Sequence, residues 1–411
     1  MTTDAPRPER YALDDFRMDP ELKPVEVAPA ITTVRAFANS SWVTTTDGVV
    51  VVDTGVAPQI GERVLGRIRE STSLPIRALV YTHGHVDHVM GARPFLADGG
   101  TIYAHENVAR RFDRYTLLGD HFNHINSVQF GGDLTGVQRT FEYPAVSYHD
   151  RMSFDVGGVT FELIAGMGET DDATVVWVPS LRAVFAGDFL IGSFPNVGNP
   201  YKVVRYEREW FEMLERIMAL DPEVIVPGHG RPMHRGSEMR QALQDNIDAL
   251  RFIHERVVWH LNHASTLEQA VADIRLPSHL QESPHLRQIY SRVEFAVMNV
   301  WRRYAGWYDE SPTTLFPPAA EGFRAGGAVD DRGRREDPGR GADAARWQRP
   351  APGAGVAPRD PGRGAGARGG VGAGAGGAGR AGGGRRVPDV RQRLAGPPAR
   401  LTAAATARRR R

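Results

Sequence analysis

The sequence predicts an α/β protein of αββα type, in which two β-sheets pack face to face and helices cover both outer faces. This fold class is indicated by two series of short β-branched runs, by the amphipathic stretches between these runs and by a long helical pattern after them. The 411 residues are 41% hydrophobic and 24% charged, as expected of a globular protein. The expected organisation is an N-terminal extension over 1–26, an α/β domain over 27–235, a helical domain over 236–318 and a low-complexity tail over 319–411.

The first strand series is predicted to begin as a meander and to continue as alternating helices and strands. Short runs rich in Val, Ile and Thr predict the strands, and apolar residues at three- and four-residue spacing predict the helices. The expected strands are 31–37, 41–45, 49–52, 77–81 and 101–104, and the expected helices are 59–70 and 89–97.

The second series has the same character. Phe211, Leu214, Ile217 and Met218 lie at helical spacing, so 209–219 is predicted to be an amphipathic helix between strands. The expected strands of this series are 160–164, 174–178, 183–186 and 224–226.

A different pattern follows Pro232. Apolar residues recur on one helical face over 237–262, which predicts a single long helix. The run Ser265-Thr266-Leu267-Glu268 fits a capping box that opens a second helix, and a third is expected over 284–304.

Composition limits the chemistry that the chain can perform. There is no cysteine, so disulfides and thiolate ligands are excluded and any metal site must use nitrogen and oxygen donors. Residues 1–26 are polar and charged without an apolar core, which predicts neither a signal peptide nor a membrane span and favours a cytoplasmic protein.

The segment Tyr81-Thr82-His83-Gly84-His85-Val86-Asp87-His88 carries three imidazoles and a carboxylate directly after a predicted strand. His83 and His85 stand two positions apart, so their side chains leave an extended chain on the same face and can bind one ion. Asp87 and His88 lie where the chain turns and can reach a second ion. The alternative is a chance cluster of surface histidines, which the position between strand and loop makes less favourable.

This HxHxDH segment resembles the metal signature of the metallo-β-lactamase superfamily. Three further segments resemble other landmarks of that superfamily in the expected order: a strand that ends in an Asp-containing turn, a strand that delivers a bridging Asp, and a loop with the final His. These segments are Val49 to Gly55, Phe185 to Asp188 and Val226 to Gly230, and the resemblance covers about residues 30–235.

The superfamily's third His is absent between the first cluster and the Asp strand. The chain instead has Met167-Gly168-Glu169-Thr170-Asp171-Asp172, which resembles the alkyl sulfatase branch, where a Glu takes this ligand position. Glu169 lies nineteen positions before Asp188, the separation of the corresponding acidic ligands in that branch. Asp171 and Asp172 remain alternatives for the ligand.

The resemblance implies a dinuclear zinc site. His83, His85 and Glu169 would hold one Zn²⁺, and Asp87, His88 and His229 the other, with Asp188 as the bridge. Asp87 and Asp188 would also serve catalysis. Asp53 is expected to orient a ligand imidazole or the motif loop, because a metal-bound His needs a partner for its other ring nitrogen.

By the same resemblance, the chain is expected to be a zinc-dependent hydrolase that cleaves alkyl sulfate esters with a metal-bound hydroxide. Asn196 and Arg205, in the region after Asp188, are candidates for binding the substrate anion. The alternatives are another hydrolase of the superfamily, acting on a lactone, thioester or phosphoester, and a non-catalytic metal-binding protein. Oxygen or nitric oxide reduction at two irons is also conceivable, but no flavin-binding domain follows.

The helical domain resembles the dimerisation domain of alkyl sulfatases, which implies a homodimer. The resemblance includes Tyr304-Ala305-Gly306-Trp307-Tyr308-Asp309, although the family usually continues Asp-Gly-Asn-Pro where this chain has Asp309-Glu310-Ser311-Pro312. A simple core role for these aromatic residues is the alternative.

The tail from Ala319 consists mainly of Gly, Ala, Arg and Pro, with too few apolar side chains to fold. Arg-Gly stretches can bind RNA, but the tail offers only two aromatic residues, Phe323 and Trp347, on which bases could stack, so a nucleic-acid partner is not expected. Only two lysines, Lys23 and Lys202, stand against a large arginine excess, which favours GC-rich codons and a frameshifted tail.

Overall fold

A computed structural model of the chain describes residues 17–308 and Leu315. These residues belong to one compact unit within residues 1–336. The predicted tail, most of the N-terminal extension and the segment 309–312 lie outside the described residues.

The first sheet has seven strands that are hydrogen-bonded in chain order. The pairs from β1 to β4 are antiparallel and those from β4 to β7 are parallel. The strands are β1 (Val25–Ala28), β2 (Ile31–Ala36), β3 (Ala38–Thr44), β4 (Val49–Val52), β5 (Ile76–Val80), β6 (Thr101–His105) and β7 (Val146–Tyr148).

The second sheet has six strands in the order β13-β12-β11-β10-β9-β8. Its pairs are antiparallel except for β11 and β12, which run parallel because helix α6 connects them. The strands are β8 (Arg151–Val156), β9 (Val159–Gly166), β10 (Ala173–Val178), β11 (Ala183–Gly187), β12 (Val224–Pro227) and β13 (Met233–His234).

Ten α-helices lie in the part of the chain that the structure describes. The first six connect strands and the last four follow the second sheet. They are α1 (Pro58–Ser71), α2 (Val86–Val89), α3 (Arg93–Ala97), α4 (Asn107–Leu117), α5 (Gly119–Phe130), α6 (Glu207–Ala219), α7 (Ser237–Asn262), α8 (Leu267–Asp273), α9 (Ser278–Gln281) and α10 (Val293–Tyr304).

Strand β4 shows how the layers are built, because all four of its residues are buried. Val50 and Val52 belong to the core between the two sheets, whereas Val49 and Val51 belong to the core under helix α1. Side chains that alternate along a strand therefore serve two layers. On the far side, a third core joins the second sheet to α6, α7 and α10. The predicted αββα sandwich followed by helices is confirmed.

The long helix predicted over 237–262 is present as α7, but the third helix predicted over 284–304 is not continuous. A short 3₁₀ turn covers Pro284–Leu286, and α10 begins only at Val293. The Val293 N–H donates to the side chain of Gln288 at 3.0 Å, so the chain upstream of α10 is used to cap it. The irregular segment between the 3₁₀ turn and α10 forms hydrogen bonds with the loop after Asp188 instead of continuing a helix.

The capping box of α8 lies one position later than predicted. Thr266, rather than Ser265, is the N-cap: its hydroxyl accepts from Gln269 N at 3.2 Å, and the Gln269 side chain accepts from Thr266 N at 2.8 Å.

The stretch predicted as one helix over 89–97 is instead divided between α2 and α3. Gly91 lies at the division, and a Cβ there would be only 1.9 Å from the carbonyl oxygen of Thr54. The close contact fixes the end of α2 against the turn after β4, and Pro94 then opens α3. Helical spacing alone could not reveal this tertiary contact.

No helix among residues 17–308 is long and apolar enough to cross a membrane.

Candidate metal centre

Five loops bring the predicted ligands and Asp53 to one edge of the sandwich. Asp53 follows β4, the HxHxDH segment follows β5, Glu169 follows β9, Asp188 follows β11 and His229 follows β12. Strands β4 and β5 are parallel neighbours, as are β11 and β12, so each sheet delivers two adjacent loops to the same edge. The carboxyl ends of parallel strands are the usual position for a site in such sheets.

The first group of converging side chains comprises His83, His85, Glu169 and Asp188. His83 Nε2 lies 2.9 Å from His85 Nδ1 and 3.7 Å from Asp188 Oδ2. His85 Nδ1 lies 3.8 Å from Glu169 Oε1. The two histidines, two positions apart in sequence, therefore face one point as their spacing predicts.

The second group comprises Asp87, His88 and His229, again with Asp188. His229 Nε2 lies 3.2 Å from Asp87 Oδ2, and His88 Nε2 lies 3.6 Å from the same oxygen. Asp188 Oδ1 lies 3.3 Å from His88 Nε2 and 3.6 Å from His229 Nε2. Asp188 therefore directs one oxygen to each group. All seven predicted ligands meet in a single cluster.

The donor atoms of this cluster fit a divalent metal. His88 Nε2 and Asp188 Oδ1 are buried and form no hydrogen bond, although they lie close together. Buried polar atoms without partners are costly unless an ion or ligand satisfies them. Within residues 17–308, three overlapping sets of ligand atoms from this cluster each lie within 4.8 Å of one another. Imidazole nitrogens with carboxylate oxygens are a common donor set for Zn²⁺.

The electrostatics of the cluster also favour a cation. Burial alone would lower the pKa of His88, but the carboxylates of Asp188 and Asp53 raise this pKa well above its usual value. Burial likewise opposes ionisation of Asp188, yet the rings of His88 and His229 hold the Asp188 pKa well below its usual value. Burial, followed by His88, lowers the pKa of His83 to about 4, so its ring is neutral at pH 7 and offers a lone pair.

Asp53 makes the contact expected of it. Its Oδ2 lies 2.7 Å from His88 Nδ1, while its Oδ1 accepts from Thr82 N at 2.8 Å. Asp53 adopts φ +59°, a left-handed conformation that is unusual for a residue other than Gly. One carboxylate thus supports both the ring of His88 and the backbone at the start of the motif.

The loop with His229 is held by Phe37, between β2 and β3, and by Asn39 at the start of β3. Asn39 Nδ2 donates to Pro227 O at 2.8 Å and to Gly230 O at 2.9 Å, on either side of His229. His229 Nδ1 lies 3.1 Å from the carbonyl oxygen of Phe37. This carbonyl can accept an Nδ1 proton, which leaves Nε2 as the nitrogen that faces Asp87 and Asp188.

Glu169 lies beside two other predicted residues. The Arg205 guanidinium contacts the Glu169 carboxylate and the carbonyl oxygen of Asn196. The Asn196 amide donates to Glu169 Oε1 at 3.2 Å. Burial raises the pKa of Glu169, Arg205 opposes this and Asp188 adds to it, so that the pKa is about 7. The structure therefore brings Asn196 and Arg205 to the candidate ligand position.

Asp171 and Asp172, the alternatives to Glu169, face away from the cluster and pair with Arg111. Arg111 Nε donates to Asp172 Oδ2 at 2.7 Å, and the other side of the guanidinium contacts Asp171. Gly84 N, inside the HxHxDH segment, also donates to Asp172 Oδ2 at 3.1 Å. Asp172 thus supports the motif loop from outside.

Several supporting residues carry no local sequence signal. Arg111, Asn39 and Lys202 occur in unremarkable surroundings, and only the fold places them near the site. Burial, followed by Arg205, lowers the pKa of Lys202 to about 8, which leaves the amine mostly protonated at pH 7.

Two family models match the chain. Residues 34–229 match the family described as Metallo-beta-lactamase superfamily, and residues 266–325 match the family described as Alkyl sulfatase dimerisation.

Two of the relatives that the chain resembles are alkylsulfatases. The chain is 26% identical over 306 residues to a linear primary-alkylsulfatase of Pseudomonas sp., a match that covers 68% of this chain and 58% of that protein. It is 24% identical over 336 residues to an (R)-specific secondary-alkylsulfatase of Pseudomonas sp., with 73% and 50% covered. The chain thus spans between half and three-fifths of the length of these relatives.

Among solved structures, the stereoselective inverting sec-alkylsulfatase Pisa1 from Pseudomonas sp. has a TM-score of 0.68 to this chain at 23% identity. The match covers 79% of this chain and 58% of that one, and it shows a shared fold.

Proposed function

Because the chain belongs to the metallo-β-lactamase superfamily, in its alkyl sulfatase-like branch, we propose that it is a zinc-dependent hydrolase of alkyl sulfate esters. The observation that carries this proposal is the position of Glu169. A buried carboxylate takes the place of the superfamily's third His and lies within the cluster, where Arg205 and Asn196 contact it. Water would add across the ester to release an alcohol and hydrogen sulfate.

The cluster divides naturally between two Zn²⁺ positions. His83, His85 and Glu169 would hold the first, and Asp87, His88 and His229 the second, with Asp188 shared. Two such ions supply Lewis acidity and lower the pKa of a water molecule so that it becomes nucleophilic at neutral pH. Asp53 and the Phe37 carbonyl orient the rings of His88 and His229, so that each directs Nε2 inward.

The surroundings of Glu169 suit an anionic substrate. Arg205 is only 3% exposed and Lys202 lies close enough for its charge to interact with Arg205 and Glu169. A sulfate monoester keeps one negative charge throughout the physiological pH range. Planar guanidinium and amide groups can donate to its oxygens. In this proposal Arg205 and Asn196 bind the sulfate group, and neither handles a reacting proton.

The helical segment is proposed to form a homodimer. Residues 266–325 match the dimerisation family, and aromatic side chains are exposed on this part of the chain, with Trp259 at 43% and Trp307 at 70% exposure. Exposed large aromatic residues are typical of protein interfaces. We therefore propose 27–235 as the catalytic domain and 236–318 as the dimerisation domain. Light scattering at several concentrations should give twice the monomer mass, and a monomer throughout would contradict the dimer.

The proposed activity is tested by metal analysis and a substrate screen on the same preparation. Two zinc equivalents per chain are expected, with release of inorganic sulfate from a primary or secondary alkyl sulfate. A lactone, a thioester and a phosphodiester of matched alkyl length serve as competing substrates. Turnover of one of these without sulfate release would assign a different hydrolase, and a chain that binds metal but cleaves none of them would be a binding protein.

A further inference from the structure

The loop that carries Arg205 is held by a helix from outside the catalytic domain. Asn299 lies on α10 and is 7% exposed. Its Oδ1 accepts from Arg205 N at 3.0 Å, and its Nδ2 donates to Arg205 O at 3.1 Å. One amide side chain thus satisfies both backbone groups of Arg205, as a neighbouring strand would.

Further contacts join the same two parts of the chain. Ser291 Oγ donates to Gly198 O at 3.1 Å, and Phe194 N donates to Arg287 O at 3.0 Å. A Cβ at Gly198 would lie 2.8 Å from Asn299 Cβ. The loop therefore approaches α10 so closely that only glycine fits at this position. The loop 194–205 therefore rests on the helical segment along its length.

At its other end this loop reaches the candidate metal centre. The Arg205 guanidinium contacts Glu169, and Asn196 on the same loop both donates to Glu169 and accepts from Arg205. Tyr206 N donates to Gly168 O at 3.0 Å, which joins the residue after Arg205 to the residue before Glu169. A shift of the Arg205 backbone would therefore move its guanidinium relative to Glu169.

We propose that Asn299 is a positioning residue: from the helical domain it fixes the backbone of Arg205 and so holds the Arg205 guanidinium at Glu169. This role deepens, and rests on, the proposed binding of a sulfate ester by Arg205. The helical domain then contributes to the site in each chain as well as to assembly. Precise placement of the Arg205 guanidinium matters because a small displacement of a group that binds the substrate can lower the reaction rate strongly.

The first test is a double-mutant cycle. Asn299→Ala should raise KM for an alkyl sulfate and lower kcat/KM by about tenfold or more, since two hydrogen bonds at the backbone of Arg205 are lost. In an Arg205→Lys background the same substitution should have little further effect, because residues that act through one another are not additive. Full additivity of the two substitutions would overturn the proposal.

A matched control is Asn246→Ala on α7. Asn246 is also buried, at 4% exposure, but its side chain donates to Ala242 O at 2.8 Å within its own helix. The Asn246→Ala substitution should lower the melting temperature without raising KM. If Asn299→Ala changed only the melting temperature, as Asn246→Ala should, Asn299 would be merely structural.

The second test does not depend on the reaction. The backbone N–H of Arg205 donates its hydrogen bond to Asn299. Hydrogen exchange at this N–H should accelerate by about tenfold or more in Asn299→Ala and remain unchanged in Asn246→Ala. Should Asn299→Ala fail to fold, Asn299→Asp has nearly the same volume and keeps the acceptor for Arg205 N, while a carboxylate oxygen replaces the donor to Arg205 O, so the cycle can be run on it. A wild-type protein that cleaves no sulfate ester would refute the proposed function, whereas unchanged Arg205 exchange would refute the positioning role.

Discussion

The carboxylate of Asp53 lies 2.7 Å from Nδ1 of His88, across the boundary between strand β4 and the metal-binding segment. The same carboxylate accepts from the backbone N–H and the hydroxyl of Thr82. Asp53 thus holds both the backbone at the start of the HxHxDH segment and the ring of His88. It does so from a strained backbone position at φ +59°.

Asp53→Asn should weaken metal binding by about 10- to 100-fold, because the charged partner of His88 is lost while the volume of the side chain is kept. Competition with a chromogenic chelator measures this affinity. The control is Asp47→Asn, because the Asp47 side chain is 66% exposed and pairs with Arg77 on the surface. Equal affinities for the two variants would show that Asp53 has only a folding role.

Glu169→Gln should remove about one equivalent of metal and abolish most sulfate release, since the anionic oxygen at the first position becomes a neutral amide. Elemental analysis after dialysis gives the metal content. Asp171→Asn, at a carboxylate that is 44% exposed and faces Arg111, should keep both metal and activity. The ligand assignment fails if Glu169→Gln retains two ions and full turnover.

Asp172→Asn should destabilise the fold by about 3–5 kcal/mol, because it removes the charge that pairs with the buried Arg111. Burial opposes ionisation of Asp172, but Arg111 lowers its pKa below the usual value, so the pair is ionic at neutral pH. Urea unfolding with a chelator present separates this effect from metal binding. Asp171→Asn should cost no more than about 1 kcal/mol. Similar losses in the two variants would contradict the assignment of the buried pair to Asp172.

His260 should make the protein less stable in acid. Its ring is 1% exposed, and neither nitrogen has a hydrogen-bond partner among residues 17–308. Burial, followed by the charge of Arg256, lowers the His260 pKa below 6.5, although Asp273 opposes this. The unfolded chain therefore binds a proton that the folded chain rejects, and stability falls as the pH drops below about 6.5.

His260→Phe should accordingly raise the melting temperature at pH 5 relative to wild type by more than it does at pH 8, in the presence of a chelator. His121→Phe, at an exposed position on α5, is the surface control and should change the melting temperature little, because its side chain is not buried. If His260→Phe shifted the melting temperature equally at pH 5 and pH 8, the ring of His260 would be protonated in the folded state at pH 5.

The sequence by itself determined nine of the thirteen strands among the described residues, all but β1, β7, β8 and β13, together with the long helix α7 and the convergence of His83 with His85. These features depend on neighbours along the chain: side chains two apart share a face of an extended segment, and those three or four apart share a face of a helix. The ordered segments around Asp53, Asp188 and His229 were identified instead by their resemblance to landmarks of the metallo-β-lactamase superfamily.

The resemblance favoured Glu169 as the ligand and left Asp171 and Asp172 as alternatives, and only the tertiary structure shows how the contacts of these three residues differ. Arg111, some sixty positions away, engages the two aspartates and leaves Glu169 for the cluster. Asn39 and Asn299 act on residues 188 to 191 and 94 positions distant, respectively. Such contacts arise only when separate elements pack together, because hydrogen bonds between distant segments leave no periodic trace in the sequence.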